Sequence, residues 1–206
     1  VALAADKGAS DFQKSDALQQ AAGCARALKD YDRAEELAGQ VPLEAVAQTA
    51  RMETLLARRD WKGLVERFGG EDLDKCPFWQ RGAGAFARAR AHVLVKDGGK
   101  AEADLQTALA FTADAHSRTS ILATMGSNRE MHLKDDAAAL EAYRQNLQGK
   151  TVIGAADEFR SAQNAARILT RQGKFDEALA TLKLALVEKQ KGFWRHSTLL
   201  VKGDTL

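Results

Sequence analysis

The stretch Gly173-Lys174-Phe175-Asp176-Glu177-Ala178, continued by Leu182 and Ala185, decides the fold. Glycine tolerates left-handed backbone, so Gly173 suits a chain reversal, and Ala178, Leu182 and Ala185 then recur at helical spacing. Upstream, Phe159, Ala162, Ala165, Ala166, Ile168 and Leu169 recur in the same way. The two runs and the polar break between them read as a helical hairpin. A hairpin of this size cannot bury its apolar faces alone, so it must stack on others of its kind.

The same phrase occurs four more times. Breaks at Lys29-Asp30, Arg59-Asp60, Asp97-Gly98-Gly99 and Lys134-Asp135-Asp136 each separate two runs of helical periodicity. Aligning the units on the small residue of the second helix gives Ala34, Leu64, Ala101, Ala139 and Ala178, at intervals of 30, 37, 38 and 39 residues. A side chain larger than alanine at that position would hold two crossing helices apart. The aromatic three residues earlier (Tyr31, Trp61, Phe175) is expected to fill the wedge beyond the crossing.

These residues resemble the tetratricopeptide repeat over roughly residues 15–190. Gly173, Phe175, Ala178 and Ala185 match its turn and second helix, with Ala165, Ala166 and Leu169 on the first helix. Tyr31 and Ala34, then Ala139 and Tyr143, match in part. Gln190 stands where the family often has proline, Leu64 replaces an alanine, and the units exceed the family's usual length of about 34 residues, so the chain resembles a divergent member. The resemblance implies an all-α, right-handed α-solenoid of about five helix-turn-helix repeats over 15–190. Residues 1–14 form a tail before it, and 191–206 a capping or partial-repeat helix after it.

Composition agrees with a helical globular chain. Of the 206 residues, 45% are hydrophobic and 28% charged, and the two prolines lie in gaps between helical runs. A net charge of +2 points to neither nucleic acid nor an acidic membrane as partner. No run approaches the roughly 20 apolar residues of a membrane span. Ala2-Leu3-Ala4 has the small-x-small form of a signal-peptidase site, and an alanine-rich start explains it equally well, so periplasmic or secreted stands level with cytoplasmic. Cys24 is expected inside the first helix as a buried thiol and Cys76 in a loop, too far apart for a disulfide.

No motif here carries chemistry. Gly82-Ala83-Gly84-Ala85-Phe86-Ala87 satisfies a loose dinucleotide pattern but follows helical Phe78-Trp79-Gln80-Arg81 rather than a strand, so close helix packing explains it. Gly149-Lys150-Thr151 lacks the first glycine of a phosphate loop, because that place falls on Arg144. His92, His116, His132 and His196 lie in different units without metal-ligand spacing. The expectation is a chain that is not an enzyme and holds no cofactor or metal.

One asymmetry remains. First helices carry much of the arginine and second helices much of the acid. In tetratricopeptide arrays first helices line the concave groove, so the resemblance implies an inner surface formed by Arg90, Asn128, Arg160, Gln163, Arg167 and Arg171. Arginine suits a carboxylate or phosphate because its planar fork bonds bidentately. Thr124 stands where carboxylate-gripping members of the family have lysine, which sets that subset aside. Pairing of these arginines with Glu53, Asp157 or Glu158 is the plain alternative. The functional expectation is a non-catalytic scaffold holding a peptide or partner protein in this groove. The alternative is a helical accessory region of a larger exported enzyme or nutrient-binding protein. Phe193-Trp194 and the apolar Leu199, Leu200 and Val201 add the expectation of a cap, or of a homodimer through the C-terminal helix.

Overall fold

A computed structural model describes residues 8–70, 73, 78–148 and 156–185. The described residues form an all-helical chain without strands. In order these are α1 (Asp11–Ala27), α2 (Tyr31–Gly39), α3 (Glu44–Arg58), α4 (Trp61–Phe68), α5 (Phe78–Leu94), α6 (Gly98–Ala110), α7 (Ala115–Asn128), a π-helical turn (Arg129–Leu133), α8 (Asp136–Leu147), α9 (Ala156–Arg171) and α10 (Phe175–Ala185). The chain divides into two compact units, Val1–Thr112 and Ala113–Leu206.

All five hairpin turns share one backbone solution. Lys29, Arg59, Lys96, Lys134 and Gly173 adopt left-handed φ of 62°, 65°, 65°, 58° and 73°. The next amide donates to the carbonyl five residues back in four of them: Asp30 to Ala25, Asp60 to Leu55, Asp97 to His92 and Lys174 to Leu169, each at 2.9 Å. This is the Schellman closure of a helix C-terminus. The same aspartates then begin the second helix by accepting from an amide three residues on. Asp30 accepts from Arg33 at 3.1 Å, Asp60 from Gly63 at 2.9 Å, Asp97 from Lys100 at 3.3 Å and Asp135 from Ala138 at 2.8 Å. Five residues after each left-handed position come Ala34, Leu64, Ala101, Ala139 and Ala178, all 0% exposed. Only the first two aromatics of the motif fill a wedge, because Tyr31 and Trp61 are half-buried whereas Phe175 is 51% exposed.

The fourth turn differs by one residue. Asp135 donates to Arg129, six residues back, and the extra residue is absorbed in the π-helical turn 129–133.

Packing within each unit follows one pattern. In the first, α1 packs on α2, α2 on α3, α3 on α4, α4 on α5 and α5 on α6, while α1 also touches α3 and α3 touches α5. In the second, α7 packs on α8, α8 on α9 and α9 on α10, and α7 touches α9. Leu37 of α2 and Val41 just after it meet Val46 and Ala47 of α3, and Leu64 and Phe68 of α4 meet Ala87 and Ala91 of α5. Ala139, Leu140 and Tyr143 of α8 meet Ala165, Ala166, Ile168 and Leu169 of α9. Within the units, α2, α4 and α8 therefore bury the first helix that follows each of them.

Several boundaries differ from expectation. Residues 11–14, assigned to a tail, are the first turn of α1, which starts with a capping box in which Ser10 and Gln13 bond reciprocally. Cys24 is exposed rather than buried, because it lies on the face of α1 that no described element covers. Gly82 serves close packing, since a Cβ there would lie 2.7 Å from Thr112 Oγ1 and 2.9 Å from the Phe111 carbonyl oxygen, whereas a Cβ on Gly84 would meet only ordinary contacts, the nearest 3.5 Å away. Cys76, Gly149-Lys150-Thr151 and the C-terminal helix at 191–206 lie outside the described residues.

Candidate functional site

The surface with most polar function lies on α7 and α9. On α9, Asp157, Arg160, Asn164, Arg167 and Arg171 recur three and four residues apart and share one stripe. Arg160, Arg167 and Arg171 are exposed along it. The inserted residue shifts the matching stripe on α7 to Ser120, Thr124, Ser127 and Met131. Ser120 Oγ donates to Asp157 across the pair at 2.6 Å, and Met131 is 52% exposed.

This register shift corrects one expectation. Counted as an uninterrupted helix, Asn128 is the counterpart of Arg167 and faces the groove. With the π turn in place, Ser127 takes that position and Asn128 is 0% exposed. Gln163, on the flank of the α9 stripe, is 8% exposed. Arg90 is exposed on α5 of the other unit, its guanidinium 5.9 Å from the Phe86 ring centroid.

The stripe is tied to the interior by a directed hydrogen-bond chain. An Arg167 N–H donates to Asn164 Oδ1. Asn164 Nδ2 donates to the Tyr143 hydroxyl at 3.0 Å, which donates to Glu130 Oε2 at 3.3 Å. Ser127 Oγ lies 3.3 Å from the same hydroxyl. Arg171 closes the chain, donating to Glu130 Oε1 at 3.1 and 3.2 Å and to both oxygens of Asp136 at 3.0 Å. Its guanidinium pKa is raised; burial works against that rise, and the bonds to Asp136 and Glu130 outweigh it. The Tyr143 ring is fully buried over Gly126, where a Cβ would lie 2.3 Å from a ring carbon. Burial, with Glu130 nearby, pushes the Tyr143 hydroxyl up to about 12, so it is a neutral hydrogen-bond relay and not a base.

The plain alternative also has real pairings. Arg160 lies 3.3 Å from Asp157, and Arg26 bonds Glu53. Burial raises the Glu53 pKa although Arg26 and Arg90 pull it down. Arg171 is likewise committed to carboxylates, which leaves Arg160 and Arg167, held among the described residues by neighbours on their own helix, as the stripe's available cations. Sequence reasoning missed the Tyr143 relay and the buried group in the first unit. There Arg88 grips Asp104 at 2.6 and 2.8 Å, with His92 Nε2 3.8 Å from Asp104. Polar residues on otherwise apolar helix faces were the available signal for both.

Among the described residues no group of His, Cys, Asp and Glu is set to hold a metal ion, and no helix is long and apolar enough to cross a membrane. No protein-family model, curated protein or solved structure matches this chain.

Proposed function

We propose that this protein is a non-catalytic scaffold of tetratricopeptide type, its hairpins belonging to a right-handed solenoid. Its first-helix face holds an acidic segment of a partner protein. The observation that carries this reading is the alignment of Arg160, Arg167 and Arg171 on one exposed stripe of α9 beside the hydroxyl stripe of α7. Guanidinium groups at that spacing suit successive carboxylates of an extended peptide. The shared turn and packing register of the hairpins supports the family reading. Arg160 and Arg167 make the contact, while Arg171 fixes the surface by clamping the π turn to α8.

A random-peptide display selection on the purified chain tests this. Recovery of Asp- and Glu-rich peptides, with affinity falling at least tenfold in Arg160→Ala/Arg167→Ala and with added salt, is the expected result. Peptides without acidic enrichment, or equal affinity for the double variant, would overturn the assignment.

A further inference from the structure

The repeat also defines a second surface, at the opposite end of the first unit from α6. Count back from the left-handed residue of each turn, and the twelfth and fifth positions are Ala47 and Thr54 in α3, Gly84 and Ala91 in α5, and Ser161 and Ile168 in α9. All six are buried. The preceding hairpin supplies the cover: Ala47 packs with Leu37 and Val41, Ala91 with Leu64 and Phe68, and Ile168 with Leu140 and Tyr143. Ser161 additionally accepts from Asn146 of α8 at 2.8 Å.

In α1 the same two positions are Ala17 and Cys24, and they are open. Ala17 is half-buried and Cys24 exposed, with Leu28 82% exposed at the end of the same face. Together with Ala21, Arg33 and Leu37 they line a shallow, mainly apolar groove of about 540 Å³ between α1 and α2. In α3, α5 and α9 the preceding helix fills this position, whereas in α1 no described element does, which sets the groove apart from a scattered exposed apolar residue.

We infer that this groove docks an amphipathic helix of a partner protein, seated as the preceding second helix is seated on α3, α5 and α9. The occupant follows from continuity with the interface already repeated inside the chain. Leu37 and Val41, Leu64 and Phe68, and Leu140, Tyr143 and Leu147 show its chemistry: large apolar residues three to four apart on one face. The small side chains of Ala17, Ala21 and Cys24 let that helix approach closely, and Leu28 covers its end. The surface is independent of the arginine stripe.

The chain's own α8 is the probe. A fluorescent peptide of residues 135–148, with Ala137→Lys bridged to Glu141 on its exposed side to hold the helix, is titrated into the full chain. Saturable binding is expected, at least tenfold weaker for Cys24→Asp/Leu28→Asp and unchanged for Arg167→Ala. Both substituted side chains are exposed, so the circular dichroism and urea midpoint of the double variant stay near wild type. Absence of saturable binding, or binding undiminished in the double variant, would overturn the inference. So would concentration-dependent self-association of the wild type that the same double variant abolishes, because the groove's occupant is then a second copy.

Discussion

Replacing Gly126 by alanine should destabilise the second unit by about 2 kcal/mol, opposite in sign to the usual effect of removing a helical glycine. Propensity alone favours the change by about 1 kcal/mol. The new Cβ, however, would stand 2.3, 2.6 and 2.7 Å from three carbons of the Tyr143 ring, against an ordinary carbon contact of about 3.5–4 Å. The ring must retreat by about 1 Å to reach that separation. Its hydroxyl bonds, at 3.0, 3.3 and 3.3 Å, do not survive such a shift. Three bonds at about 1 kcal/mol each outweigh the propensity gain and leave a net loss of about 2 kcal/mol. For a unit of this size that is a fall of roughly 1 M in urea midpoint, read by circular dichroism. Gly23→Ala is the control: it sits mid-helix in α1, its Cβ meeting only an Arg26 side-chain nitrogen at 3.5 Å, and it should stabilise by about 1 kcal/mol. In a Tyr143→Ala background Gly126→Ala should turn stabilising too. A Gly126→Ala protein as stable as wild type would refute the reasoning that the ring retreats only at the cost of its hydroxyl bonds.

Equivalent turn positions should respond with opposite signs: Arg59→Gly relieves a left-handed side chain and gains about 0.5 kcal/mol, while Gly173→Ala loses about 1 kcal/mol, both read by urea titration. Burial lowers the His92 pKa despite Asp104 beside it. Below its ordinary value near 6.5 the unfolded chain then binds the extra proton, so stability is complete above that pH and declines as pH falls through it; His92→Leu should flatten this part of a stability-versus-pH curve. Asp104→Ala strips the half-buried Arg88 of its carboxylate and should cost about 3 kcal/mol in the first unit, more than an exposed pair such as Arg144–Glu177, checked by urea titration of Asp104→Ala against Glu177→Ala.

How far the structure could be read in advance depended on whether a feature leaves a periodic trace. The five reversals were legible because each repeats a cation or glycine, an aspartate in four cases, and an alanine five positions on in all but the second, which has Leu64. The all-helical class followed from the same rhythm. The single inserted residue at 129–133 left no trace, since a π turn uses the same side chains as an α turn, and it moved Asn128 from the expected groove into the interior. The α9 stripe survived because no insertion interrupts it. Charge counting found Arg171 but not its partners, which come from the π turn and from the start of α8. Tyr143 was noticed as a repeat position, yet its role depends on Gly126 of another helix, a three-dimensional pairing that spacing does not encode.

The four cationic left-handed residues have a consequence of their own. Lys29, Arg59, Lys96 and Lys134 sit where glycine would relax the backbone, but each also stands at the carbonyl end of a first helix, where positive charge complements the macrodipole. Backbone strain is indifferent to electrolyte, whereas the dipole term is screened. Concentrated salt should therefore fray these helix ends while the alanine crossings stay closed.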